Sequence, residues 1–389
     1  MYNFDEVINR YNTNSLKYDF ASQRGKPEGI LPLWVADMDF RTPGEVTDAL
    51  VKCCEHGIFG YTETKGDYFE AVFNWFDSRF GYKFNEGWLV KTPGIVFAIS
   101  AAINSFTEKG DAVLIQRPVY YPFFGSIMAN GRKVVSNSLI YENGAYRIDF
   151  EDFEQKIIAE KVKLFIFCSP HNPVGRVWTR DEIKKIGDIC LKHNCIVVSD
   201  EIHCDFVYAP HKHTVFTQAC EGFEQNSVVC TAPSKTFNLA GLQVSNIFIP
   251  DRKLREKFIG AVLRTGYSQL NTLGLAACVA AYKYGAPWLD ALLNYLSGNA
   301  AFINNFLREN MPRVKLIKPE GTYLAWFNFK GLNMPQKELD DVITHKANLW
   351  LDSGTMFGTE GEGFQRINFA CARSVLAAAL AALAEGFNE

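Results

Sequence analysis

Four short runs recur through the middle of the chain: "DAVLIQ" (111–116), "VKLFIFC" (162–168), "CIVVS" (195–199) and "SVVCTA" (227–232). Each is apolar and rich in β-branched or aromatic residues, without an apolar–polar alternation. Runs of that kind read as strands covered on both faces, as in a parallel sheet. Helix-like stretches lie between them. Thr179 and Glu182 have the spacing of a capping box, which predicts a helix running to His193. "GIVFAISAAINSF" (94–106), directly after "KTP", predicts another. Strands alternating with helices predict an α/β domain built on a mainly parallel sheet.

After about residue 285 the texture changes. Pro287 can open a long helix reaching Asn310, "VKLIKPEGTYLAWFNF" and "FQRINFAC" read as strands, and "SVLAAALAALAEGF" closes the chain as a helix. This predicts a large domain over residues 41–285 and a smaller α+β domain made of 1–40 together with 286–389. With 389 residues, 48% of them apolar, the chain has enough material for two cores.

Charge narrows the function classes. A net charge of −3 with no dense Lys/Arg run argues against nucleic acid and anionic membranes as partners. No apolar run approaches the roughly 18 residues that span a bilayer. The opening "MYNFDEVINRYN" lacks the layout of a secretion signal, and the ten cysteines are scattered with no CxxC pair. A cytoplasmic protein with reduced thiols is the expectation. His203, His211 and His213, near Cys204 and Asp205, lack a recognised zinc spacing, so no metal site is expected.

The strand-like runs end in polar turns, and open α/β sheets bind ligands beyond the carboxyl ends of their strands. "FIFCSPHNPVG" ends in an Asn172-Pro173 turn, "IVVSDEIHCDF" in Asp200 and Glu201, and "VVCTAPSK" in Ser234 and Lys235. Singly, each has an ordinary reading as a turn starter, a helix cap or a surface charge. Together they are harder to set aside, because a buried carboxylate and a buried ammonium each need a partner. Pyridoxal phosphate would satisfy both. A poorly solvated lysine loses basicity and becomes a nucleophile toward its aldehyde. A carboxylate keeps its ring nitrogen protonated, and an asparagine amide can donate to its phenolic oxygen. The backbone N–H groups of Gly94, Ile95 and Val96, at the start of a helix, would face its phosphate.

These motifs resemble a known family, the fold-type I pyridoxal phosphate enzymes of the class I/II aminotransferase group, and within it the cystathionine β-lyase (C–S lyase) branch. The resemblance runs through "LPLWVADMDF", "FGYT", "RPVYYPF", "SPHNPVGRVWT", "VVSDEIH", "APSKTFNLAGLQ" and "FQRINFA", in the family's order over essentially the whole chain. It implies an aspartate aminotransferase-like fold: a large domain with a mainly parallel seven-stranded sheet and a smaller α+β domain. It also implies that Lys235 is the Schiff-base lysine, Asp200 the pyridinium partner, Asn172 the phenolic-oxygen donor and Ser234 a phosphate contact. Tyr120 would stack on the cofactor, with Tyr121 the second choice. Arg366 would grip the substrate α-carboxylate, and Tyr61 would reach the neighbouring subunit's site in a homodimer.

Three departures favour the lyase branch. His203 stands three after the aspartate, where aminotransferases commonly have tyrosine, and is assigned to the cofactor site. Gln243 stands eight after the lysine, where many members have a phosphate-binding arginine. "LWVADMDF" replaces an aminotransferase-like "LGxGEPDF", which puts Val35 and Ala36 near the substrate. The expected activity is β-elimination from a sulfur amino acid such as cystathionine or cysteine, giving pyruvate, ammonia and a thiol. An aminotransferase is the alternative, and a regulatory or binding protein on the same fold is the reading from another class. A nicotinamide enzyme fits poorly, since "GTEGEGF" neither follows a strand nor opens a helix.

Overall fold

The computed structural model describes residues 2–387. Met1 and residues 388–389, the outer limits of the two predicted small-domain segments, lie outside the described residues. A seven-stranded sheet is formed by β1 (Leu89–Thr92), β2 (Ala112–Ile115), β3 (Lys133–Ser136), β4 (Leu164–Cys168), β5 (Ile196–Asp200), β6 (Ser227–Thr231) and β7 (Ser245–Phe248). Their order across the sheet is β1-β7-β6-β5-β4-β2-β3. Every neighbouring pair is parallel except the two made by β7, which runs against both β6 and β1. All four strands expected from sequence are present, at the centre of this sheet.

Strand residues alternate between the two faces, and both faces are buried. From β4, Leu164, Ile166 and Cys168 enter one apolar cluster with Ile99, Ala102 and Ile103 of helix α1 (Ile95–Phe106). Phe165 and Phe167 enter the other, with Ile183 and Ile186 of helix α2 (Arg180–Lys192). Burial on both sides is why these runs lack alternation in sequence. Helix α2 starts as its sequence predicts: the Thr179 side chain accepts from the Glu182 N–H, and the Glu182 carboxylate accepts from the Thr179 N–H.

A four-stranded antiparallel sheet packs beside the large one. It contains β8 (Lys315–Ile317), β9 (Leu324–Asn328), β10 (Asp352–Ser353) and β11 (Phe364–Asn368), ordered β8-β9-β11-β10. Helix Ala286–Asn310 precedes it and helix Arg373–Gly386 follows it. The N-terminal segment joins this region: Leu31–Pro32 pairs in parallel with Leu349–Trp350, and the Asn368 N–H donates to Leu33 O. Trp34 stacks on Trp350 with ring centroids 4.3 Å apart. Among the described residues no helix is long and apolar enough to cross a membrane.

Candidate active site

The carboxyl ends of β4, β5 and β6 lie side by side, with Cys168 paired to Asp200 and Asp200 to Cys230. The turns that follow converge on a cavity enclosing about 700 Å³ of unfilled space, part of it open to solvent. A volume of this size suits a small-molecule ligand. Asn172, Asp200, His203, Ser234 and Lys235 line it, with Tyr120, Ala36, Gly94, Ile95 and Val96. These residues lie up to about two hundred positions apart in sequence, and the sheet brings them to one place.

Lys235 belongs to the short helix Pro233–Thr236. Its Nζ donates to Ala36 O at 2.6 Å. Burial lowers its pKa from 10.5 to about 8, against the opposing pull of Asp37 and Asp200, with Arg366 adding to the decrease. Asp200 moves the other way. Burial raises its carboxyl from 3.8 to about 7, although the Ile202 N–H and Lys235 hold it back. Both groups are thus poised between their charged and neutral forms near neutral pH, as groups that exchange protons at active sites tend to be. Burial, with the positive charges of Lys235 and Arg366, keeps the His203 imidazole neutral; its Nδ1 is buried without a hydrogen-bond partner.

The Tyr120 loop is fixed by its backbone: Tyr120 N–H donates to Asn172 O and Val119 N–H to Phe357 O. Desolvation raises the Tyr120 phenol pKa, so the ring presents a neutral aromatic face to the cavity. Asn172 Oδ1 accepts from Arg366 Nη1 at 3.0 Å, and its amide Nδ2 has no hydrogen-bond partner among the described residues. Opposite these groups, no side chain caps helix α1, so its first-turn N–H groups stay free. A Cβ built on Gly94 would meet no atom within 4 Å, so the backbone there faces open space.

The site therefore offers a nucleophilic amine, an acid that titrates near neutrality, an uncommitted amide donor and an uncapped helix start. These fit the aldehyde, ring nitrogen, phenolic oxygen and phosphate of pyridoxal phosphate in turn. Gln243 lines the same cavity, where the resemblance would place an arginine in many members, so the phosphate end carries no arginine from this position.

Three assigned residues sit elsewhere. Arg366, on β11, is buried behind Asn172 instead of lining the cavity wall. Val35 takes part through its backbone, its carbonyl accepting from Asn368 Nδ2 at 2.6 Å. Tyr61 is 99% exposed and lines a separate outer pocket, which shares Pro93 and Gln243 with the central cavity. Of the histidines considered for a metal, His213 is committed to Glu201, its Nε2 lying 2.7 Å from Oε2.

Apart from Arg366, sequence reasoning missed the groups that hold the N-terminal strip over the cavity. Tyr323 Oη donates to Ala36 O at 2.9 Å, so this carbonyl serves both the tyrosine and Lys235. Arg366 Nη2 donates to Trp34 O, and Asn368 Nδ2 to the carbonyls of Val35 and Asp37. Asn238 Nδ2 holds Met38 O and Phe40 O. Outside the strip, Asp39 accepts from Arg10, from the fully buried Lys17 and from Tyr18. Asp352, at the start of β10, pairs with Arg366. Its sequence context, an acid ending the apolar run "LWL", matches that of Asp200 and would have flagged it.

The family described as aminotransferase class I and II matches residues 30–383. The chain is 44% identical over 374 residues to cystathionine beta-lyase PatB of Bacillus subtilis, covering 96% of this chain and 97% of that protein. Among solved structures it is similar to cystalysin of Treponema denticola, which contains a pyridoxal 5'-phosphate cofactor. That match has a TM-score of 0.96, 38% identity and coverage of 99% of this chain and 98% of that one. It is also similar to the PLP-bound C–S lyase of Staphylococcus hominis, with a TM-score of 0.93, 33% identity and coverage of 100% and 99%. With a matching family profile over nearly its full length and relatives this similar end to end, the chain belongs to the class I and II aminotransferase family.

Proposed function

We propose that this protein is a pyridoxal phosphate-dependent C–S β-lyase, splitting L-cystathionine or L-cysteine-type substrates into pyruvate, ammonia and a thiol. The observation that carries this reading is the convergence of Lys235, Asp200 and Asn172 on one cavity, with Arg366 immediately behind it. When bound, pyridoxal phosphate supplies an electron sink for the bonds around the substrate Cα. The chain supplies the rest. Arg366 orients the α-carboxylate, and Lys235 Nζ carries the Cα proton. Asp200 would supply a counter-charge to the ring nitrogen, and Tyr120 would wall the ring in. Loss of the thiol from Cβ follows removal of that proton.

The test is to incubate the protein with cystathionine and follow pyruvate together with free thiol. Stoichiometric appearance of both supports the reading. Consumption of an added 2-oxo acid without thiol release would assign the protein as a transaminase instead.

Lys235 gives a second expectation. Only its neutral amine attacks an aldehyde, and its pKa of about 8 lies below the ordinary 10.5. Cofactor-free protein should therefore capture added pyridoxal phosphate faster as pH rises from 6 through 8 and level off above about 9, read by absorbance in stopped flow. A rate still climbing toward pH 10 would show an ordinary solvated lysine.

The working unit is a homodimer in this reading. Ile58, Phe59 and Tyr61 are 70%, 59% and 99% exposed on one loop, an apolar face that a second copy would cover. Tyr61 would then reach its neighbour's site from the outer pocket it lines. Residues 41–285 form the cofactor-binding domain, and 1–40 with 286–389 form the smaller one. Ten unpaired cysteines suit the reducing cytoplasm.

A further inference from the structure

The Arg366–Asp352 pair has a consequence for which carboxylates the site can hold. Both side chains are only 2% exposed, so their charges are matched out of water. A guanidinium has five N–H donors. Here Nη1 donates to Asn172 Oδ1, Nη2 donates to Trp34 O and to Asp352, and Nε is buried without a partner. The guanidinium carbon also lies 4.9 Å from the centre of the Phe357 ring, which supports its plane. An arriving carboxylate would therefore meet a fixed guanidinium already paired with a carboxylate, with Nε–H and the second Nη1–H as its open donors.

Resting on the reading of Arg366 as the α-carboxylate site, we propose that Asp352 is a positioning residue that weakens the hold of Arg366 on carboxylates, the product pyruvate among them. An amino acid substrate is anchored at two points, its carboxylate on Arg366 and its amine at the carbonyl end of the cavity beside Lys235. A free 2-oxo acid has only the first anchor. Lowering the strength of that shared contact weakens both ligands by the same factor, but the amino acid keeps its second anchor and the 2-oxo acid has none to hold it. This favours release of pyruvate and disfavours the 2-oxo acid binding that transamination requires. Burial raises the Asp352 carboxyl pKa, and Arg366 holds that rise back.

The experiment compares the intact holoenzyme with Asp352→Asn, which keeps an acceptor for Arg366 but removes the negative charge. Pyruvate is the probe and pyruvamide its uncharged counterpart. Two readouts are taken: product inhibition of thiol release, and the pyruvate-dependent rise in melting temperature, which needs no turnover. D352N is expected to bind pyruvate about tenfold more tightly by both measures, since a like charge beside the site has been removed, while pyruvamide affinity stays unchanged. Unchanged or weaker pyruvate binding would reduce Asp352 to a structural support and overturn the proposal.

If D352N does not fold, the wild type decides alone: a preference for pyruvate over pyruvamide below about thirtyfold supports a neutralised guanidinium, and any larger preference refutes it. Arg366→Lys separates the two levels of the argument. If R366K leaves amino acid KM and pyruvate affinity untouched, the assignment of the carboxylate site itself falls. If R366K weakens both and D352N changes neither, only the role of Asp352 falls.

Discussion

Lys235→Ala should abolish β-elimination, with kcat/KM for cystathionine falling by about 10⁴-fold or more, because in the proposed reading one side chain provides both the covalent anchor and the proton carrier. The geometry explains why no neighbour can stand in. Lys235 Nζ reaches into the cavity from the Pro233–Thr236 turn, and its nearest polar contact is the Ala36 carbonyl, which cannot act as a base. The other candidate, His203, is buried and pushed toward the neutral form, but its Nδ1 has no partner to relay a proton. The measurements are thiol release and the absorbance of the cofactor-loaded protein. The variant should bind pyridoxal phosphate without the band of the covalently attached form. Retention of more than about one-hundredth of the wild-type rate would mean that another group serves as the base. An intact absorption band would mean that another lysine holds the cofactor.

The second large effect concerns stability. Asp39→Ala should destabilise the fold by about 3–5 kcal/mol, because it leaves the fully buried Lys17 ammonium without its close partner. Asp37, at 3.9 Å from Lys17, is the remaining counter-charge, and it already serves Arg10. A loss of that size is a substantial share of a typical folding free energy. Urea unfolding followed by fluorescence measures it as a shift of midpoint at constant slope. The double variant K17M/D39N should lose less than D39A alone, since it removes the stranded charge along with its partner. Equal losses in the two variants would show that Lys17 finds another way to water. Because Asp37 and Asp39 flank the strip that covers the cavity, KM should rise in D39A as well.

Much of the fold is legible in the sequence where the controlling physics is local. The strands at 164–168, 196–200 and 227–231 are unalternated apolar runs, because a sheet covered on both faces asks for nothing else. The Thr179–Glu182 box marks the start of its helix because the two residues satisfy each other's backbone groups within a single turn. Asn172, Asp200 and Lys235 were readable as a set because each follows such a strand, and strand ends converge by construction. Arg366 was reached through resemblance, not through pattern.

The residues that were missed act at a distance. Tyr323 is unremarkable inside "GTYLAWFNF", and only the folded chain shows its hydroxyl on the carbonyl that also takes Lys235. The carbonyls of residues 34–37 have no side-chain signature at all, being backbone. Lys17 looks like any surface lysine in "NSLKYDF", yet it is fully buried against Asp39. A sequence can announce a charge, but its counter-ion across the fold is set by packing.

The strip over the cavity also imposes an order in time. Its residues leave the ribosome long before Arg366 and Asn368, which take the carbonyls of Trp34, Val35 and Asp37. The Trp34–Arg366 bond closes a separation of 332 residues. Synthesis at about 5–20 residues per second leaves the strip waiting for at least some fifteen seconds before its partners exist. For the last part of that interval, from Lys235 to Arg366, the carbonyl that receives Lys235 has no finished support, so the nascent chain carries its nucleophile without the pocket that restrains it. Truncation near the carboxyl end would leave the molecule in that condition permanently, with a complete seven-stranded sheet and no working site.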